Sequence, residues 1–229
     1  MDWYLNSVQI MEGRFEHCQV SGDTSRVSST TVQSRKNYHH GDLQAALTDS
    51  AIDLVRKTGP DHLSLRAVAV QVGVSPSAVY HYFPDKGSLI SAVGDKLFVD
   101  LANMQREALG KIPGNSAKAA KLRYRELGRT YFRWALKEPN LFRLMFGGFC
   151  ELNKQGEHLE EDAYLMLSNC LDDLLATGVI TPTMRKYGEL ISWSAVQGAS
   201  NLIVEGHLPQ EVFEDLLDGL ELAMKAGAK

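Results

Sequence analysis

The chain has 229 residues, of which 44% are hydrophobic and 23% charged, an ordinary globular composition that excludes a fibrous or wholly disordered protein. A net charge of -4 and a pI near 6.0 exclude a uniformly polybasic nucleic-acid or membrane binder, although a local basic face is still allowed. Cys18, Cys150 and Cys170 are too far apart for a disulfide framework or a CxxC metal knuckle, so a reducing cytoplasm is expected. No apolar run approaches the ~20 residues of a membrane span, and Met1-Asp2-Trp3 opens without the basic region of a secretory signal.

Residues 1–34 are predicted to be a flexible tail, since Val20 to Ser34 is rich in Ser and Thr and lacks a core-forming period. A short basic, aromatic arm follows: Arg35, Lys36, Tyr38, His39 and His40. From residue 38 onward the apolar period is near 3.6. Leu43, Ala46, Leu47, Ala51, Leu54 and Val55 line one face of a first helix, with Asp42 as its predicted cap and Gly59-Pro60 as its end. Leu65, Val68, Ala69 and Val72 form a second, two-turn helix. Leu89, Val93, Leu97, Leu101 and Met104 form a stripe on a long helix over 86–109. Val212, Phe213, Leu216, Leu217, Leu220 and Met224 form another near the C-terminus. The prolines at 60, 76, 84, 113, 139, 182 and 209 all fall at predicted boundaries. No alternating strand pattern competes, so the expected fold is all-α, with about nine helices. The joint Gly110 to Ser116 separates a small N-terminal helical unit from a larger C-terminal one.

The run from Ser64 to Leu89 carries the chemistry. Ser64 can cap the 65–72 helix through its hydroxyl. Gly73 can take the positive φ of a tight turn, and Val74 anchors that turn. Ser75 caps a second short helix with Pro76 at its first position. Ala78, Val79 and Phe83 point inward, leaving Ser75, Ser77, Tyr80 and His81 outward. This is a helix-turn-helix pattern. Small polar residues near a helix N-terminus let the backbone approach base edges in the major groove. Free N–H groups there attract phosphate. Lys86, opening the next helix, can hold a backbone phosphate, and the arm can reach along the backbone or into a neighbouring groove. A short helix pair around a glycine also occurs in plain helical bundles. From Arg35 to Lys96, seven basic residues face six acidic ones, so any footprint is local and its salt dependence shallow to moderate.

Tyr38-His-His-Gly-Asp-Leu43, followed by SLRAVAVQVGVSPSAVYHYFPDKGSLISAV, resembles the DNA-binding unit of TetR/AcrR-type bacterial regulators over residues 38–97. The resemblance implies a helix-turn-helix DNA-binding domain at 35–97 and a ligand-binding and dimerisation domain at 98–229. By position it assigns Ser75, Pro76, Ser77, Tyr80 and His81 to the recognition helix. Ser64, Arg66 and Lys86 match positions that touch the backbone or flanking bases. Trp193-Ser-Ala-Val-Gln-Gly198 resembles the Trp-x-x-x-His-Gly signature of one TetR C-terminal subfamily. Gln197 stands where that signature has histidine, and an amide can hydrogen-bond but cannot titrate.

In the C-terminal half, Leu127, Tyr131, Phe132 and Ala135 make one apolar face. Leu141, Phe142, Leu144, Met145, Phe146 and Phe149 follow, and Leu165, Met166, Cys170, Leu174 and Leu175 line a further helix. Plain core packing accounts for such residues. The functional alternative is an effector site lined by Trp134, Phe142, Met145, Phe149, Cys170, Trp193 and Gln197. Homodimerisation is expected through helices at 183–205 and 209–226, where Ser194, Ala195, Gly198, Ala199 and Ser200 permit close approach and Leu216, Leu217 and Leu220 offer a stripe.

GxGxxG, GxxxxGK[ST], HExxH and GxSxG are all missing, and neither a cofactor nor a metal is expected. The sequence therefore reads as a cytoplasmic, ligand-responsive DNA-binding regulator. Most simply it is a repressor that binds an inverted repeat of double-stranded DNA and is released by a small apolar or amphipathic effector. An activator is the alternative. An enzyme on the same bundle would need convergent acid, base or metal groups that these apolar stripes lack.

Overall fold

The computed structural model describes residues 40–147 and 157–226. Among them are nine α-helices and no strand, the all-α architecture expected from the periodicity. They are α1 (His40–Thr58), α2 (Leu65–Val72), α3 (Pro76–Tyr82), α4 (Lys86–Gly110), α5 (Ala117–Lys137), α6 (Pro139–Phe146), α7 (Glu157–Ala176), α8 (Pro182–Val204) and α9 (Val212–Ala226), with a 3-10 turn at Pro60–His62. Residues 1–39, including the predicted tail and most of the basic arm, lie outside the described residues, as does Phe149.

Helix boundaries follow local chemistry. The Ser64 hydroxyl accepts from Ala67 N at the start of α2, Ser75 from Ala78 N at α3, Ser116 from Ala119 N at α5 and Thr181 from Met184 N at α8. Each satisfies one backbone N–H that the first turn leaves unpaired. Asp85 caps α4 with a reciprocal box: its Oδ1 accepts from Ser88 N at 2.7 Å while Ser88 Oγ accepts from Asp85 N at 3.3 Å. Gly73, at φ 79, ends α2 in the left-handed conformation, where a side chain would be strained. The predicted cap of α1 is a correction. Asp42 is the third residue of that helix, which starts at His40, so the helical period runs upstream of the acidic residue.

One apolar cluster runs from α1, α2 and α3 (Leu47, Ala51, Val55, Leu63, Val68, Val79, Phe83) along α4 (Leu89, Val93, Leu97, Leu101) into α5, α6, α8 and α9. A second gathers Ala120, Tyr124 and Leu127 of α5 with Cys170, Leu171 and Leu174 of α7. Three stripe assignments are corrected by this packing. Met104 is 40% exposed and Gln105 takes the inward register at 5% exposure, because the inner row continues by fours from Leu89 through Leu101 to residue 105. Leu165 is 47% exposed, on the outer side of α7. Leu217 and Leu220 are buried in the chain's own core, where Leu217 packs so close to Gly128 that an added Cβ would sit 3.3 Å from it.

Candidate functional site

The helix-turn-helix is built by α2 and α3 around Gly73. Val79 and Phe83 are sealed beneath α3 at 0% and 2% exposure, while Ser75, Pro76, Ser77, Tyr80 and His81 lie on its exposed side. Tyr82 and Ala78 are half-buried at its margins. Ser75 Oγ and Ser77 Oγ are 2.9 Å apart. Between them the pair has two hydroxyl protons, and only one is needed for that mutual bond, so a donor is left for an external acceptor. His81 rests edge-on against Tyr82, ring centroids 5.3 Å apart.

Beside α3 an open cleft of about 370 Å³ is lined by Ser64, Leu65, Arg66, Tyr80, Pro84, Asp85 and Lys86. It brings together the start of α2, the middle of α3 and the start of α4, three places separate in sequence. Sequence reasoning named Ser64, Arg66, Tyr80 and Lys86 for this face and missed Leu65 and Pro84, which carry no polar signal, and Asp85, whose carboxylate caps α4. The cations nearby differ in their partners. Arg56 bonds Asp53 at 2.7 Å and Glu138 at 2.9 Å, and Lys96 lies within 4 Å of both Asp49 and Asp100. Arg66 and Lys86 form no ion pair among the described residues, and with Asp85 as the one carboxylate in the lining the cleft keeps a net positive charge. The capping hydroxyl of Ser64 accepts from its own helix and still has a proton to donate. Arg35, Lys36, Tyr38 and His39 lie outside the described residues.

The predicted effector residues are divided. Trp134, Phe142 and Met145 are buried in the large cluster, whereas Cys170 belongs to the second. Trp193 is 42% exposed and closes an aromatic group, 5.5 Å from the Tyr131 ring and 6.2 Å from Phe146, with Phe142 behind at 5.2 Å from Phe146. The Tyr131 hydroxyl donates to Gln197 Oε1. This fixes the Gln197 amide, and Tyr131 itself was missed because a core tyrosine looks like packing. Burial pushes the Tyr131 phenol well above its ordinary value and Tyr124 up to about 12, so both are neutral donors. Burial, helped by Asp173, pushes the Cys170 thiol up to about 12, which leaves it inert as a nucleophile. Among the described residues no three His, Cys, Asp or Glu side chains gather as a metal site, and no helix is long and apolar enough to cross a membrane.

Two further features bear on assembly and coupling. On α8, Tyr187, Leu190, Ile191 and Leu202 are 37–47% exposed. They share a face with exposed Ser194 and with Gly198, which has nothing within 4 Å of an added Cβ. Helix α6 is tied in two directions. Glu138 and Asn140 Nδ2 bond the Arg56 side chain and carbonyl at the end of α1, while Arg143 bonds Glu205 and the Val204 carbonyl at the end of α8.

A helix-turn-helix with an exposed recognition face, joined through one long helix to a helical bundle, defines a DNA-binding regulator of the bacterial type. Residues 47–93 match the family model for bacterial regulatory proteins of the tetR family, and residues 124–226 match that for the tetracyclin repressor-like C-terminal domain. The chain belongs to the TetR family of transcriptional regulators and is not an enzyme. Among solved structures it is similar to a protein with unknown function from Rhodococcus sp. RHA1 at 25% identity, covering 84% of this chain and 98% of that one, TM-score 0.68. It shares its fold with the transcriptional regulator FadR from Bacillus subtilis in complex with stearoyl-CoA, at 13% identity, 78% and 96% coverage and TM-score 0.62. It also shares it with RolR in complex with resorcinol, at 18% identity, 81% and 90% coverage and TM-score 0.58. No curated protein matches it significantly.

Proposed function

We propose that the protein is a cytoplasmic repressor that binds an inverted repeat as a homodimer and leaves it when a small apolar or amphipathic effector enters the C-terminal bundle. The observation that carries this reading is the cleft where Arg66 and Lys86, neither ion-paired among the described residues, flank the exposed Tyr80 of α3. In this assignment the DNA-reading unit is 35–97 and the ligand-binding and dimerising unit 98–229. Ser75, Pro76, Ser77, Tyr80 and His81 form the recognition helix, whose hydroxyls meet bases or phosphates and whose His81 donates to a phosphate, whereas Ser64, Arg66 and Lys86 meet the backbone or flanking bases and Arg35, Lys36, Tyr38 and His39 reach along the backbone or into a neighbouring groove. The exposed apolar face of α8 is covered by the same helix of a second copy, with Gly198 at the closest approach and Leu222 of α9, 70% exposed, at its edge.

For the effector, two fold relatives whose structures hold stearoyl-CoA and resorcinol support a bundle that accepts apolar or aromatic molecules. The aromatic group around Trp193, with Trp134, Phe142 and Met145 behind it, supports the same reading, as does the resemblance of residues 193–198 to the Trp-His-Gly subfamily. Coupling to DNA runs through α4 and through α6, whose two sets of ties link α8 to α1. The effector acts only insofar as it prefers the bundle geometry of the DNA-free state.

A gel shift with the promoter region of the protein's own gene tests the site. Tyr80 is 48% exposed and makes no hydrogen bond among the described residues, so Tyr80→Ala should fold with an unchanged circular dichroism spectrum and lose sequence-specific binding. Wild-type affinity in that variant would remove α3 from the interface.

A further inference from the structure

On the reading that the bundle holds an effector, which this inference rests on, one buried polar side chain is the starting point. Gln105 is 95% buried on the inner row of α4, 5% of its surface being exposed. Its Nε2 donates to the Leu127 carbonyl at 3.5 Å, and its Oε1 has no partner. The amide cannot simply turn over, because a carbonyl can only accept and would then face a second acceptor. An orphan acceptor in a core is costly and is rarely retained without a use.

Gln105 sits where the two apolar clusters meet. One turn before it on α4, Leu101 belongs to the large apolar cluster. One turn after it, Leu109 packs against the second. Leu127, its partner on α5, likewise stands between Tyr131 of the first cluster and Tyr124 of the second. Gln105 therefore marks the seam between the two clusters. The nearby phenols on α5 are occupied, Tyr131 with Gln197 and Tyr124 with Ser192 at 2.7 Å. Of the polar groups on this stretch of α4 and α5, Gln105 Oε1 is the one left open. It is also rigidly linked to the DNA face, since 19 residues of the same helix, about 28 Å at 1.5 Å per residue, separate it from Lys86.

We propose that Gln105 is the polar anchor of the effector site, and that the effector is an uncharged, mainly apolar molecule whose hydroxyl or N–H donates to Gln105 Oε1 at the seam between the two clusters. The smallest pair of compounds that isolates this chemistry is phenol and toluene, alike in shape and differing in one donor. Binding of each to the full-length protein is measured by calorimetry and by thermal shift, in wild type and in Gln105→Leu. The expected result is a ratio of phenol to toluene affinity that falls tenfold or more in the variant, together with a higher melting temperature of the ligand-free variant, whose orphan acceptor is gone. Gln105→Met, unbranched like glutamine, repeats the measurement should leucine not fit.

An unchanged ratio, or a wild type that takes neither compound, overturns the proposal. So does a fall in the ligand-free melting temperature in both variants, which would make Gln105 a structural group bridged by water. Promoter binding by the same samples separates the two readings. Wild type that binds DNA but shows no phenol preference refutes the anchor alone, whereas wild type that binds no promoter DNA refutes the regulator reading above.

Discussion

Replacing Arg66 and Lys86 together by alanine should flatten the salt dependence of DNA binding. Each protomer offers these two cations, neither ion-paired among the described residues, at the cleft they share with Asp85, so a dimer offers four. With a slope of about -0.9 in log K against log salt per phosphate contact, four contacts contribute about -3.6. Between 50 and 200 mM salt that share alone weakens binding roughly 150-fold. The arm residues 35–39 add the same amount to wild type and variant, so the difference between the two slopes isolates the cleft. Fluorescence anisotropy with a labelled promoter duplex over that salt range measures it. Lys111→Ala is the control, because Lys111 lies just past the far end of α4 and is paired with Glu107 at 2.8 Å. Parallel lines for wild type and the double variant, with helicity intact, would show that these charges do not meet phosphates.

Gly73→Ala should lower stability by about 1 kcal/mol, or a few degrees in melting temperature. The cost is purely conformational, since nothing lies within 4 Å of an added Cβ but φ is +79, and calorimetry reads it. The hydrogen bond from Arg129, with burial opposing and a bond from Arg125 adding to it, holds the Glu214 carboxyl at about 2, below its ordinary 4.5. A depressed folded-state value means stability that is present above pH 4.5 and lost as pH falls toward 2. The melting-temperature gap between wild type and Glu214→Gln should therefore be widest above that range and close in acid. Since the Glu214 side chain is 52% exposed, the gap should be small and should shrink in high salt. Gly198→Leu should leave the chain folded, since its Cβ position is open within the chain. In sedimentation velocity it should convert dimer to monomer, and an unchanged dimer would move the interface off the α8 face.

Much of this protein follows from local rules that a sequence displays directly. The 3.6 period of Leu47, Ala51 and Val55, the hydroxyls of Ser64 and Ser75 ahead of α2 and α3, Pro76 at a first helical position and Gly73 at a left-handed turn all act over a few residues. Such signals do not depend on what packs above them. The exposure of Tyr80 and the burial of Val79 and Phe83 follow from the same short-range geometry, and the recognition helix was readable for that reason.

Tertiary packing decided the rest, because a periodic stripe reports that a face is buried without saying against what. Leu217 and Leu220 read equally well as an intermolecular stripe and as core, until Gly128 let α9 close onto its own chain. Cys170 and Phe142 shared an apolar character that hid their membership of different clusters. The orphan acceptor of Gln105 and the unpaired charges of Arg66 and Lys86 are properties of surroundings, which no residue carries alone. They arise only when α4 is laid against α5 and when the start of α4 meets the start of α2 across the recognition helix.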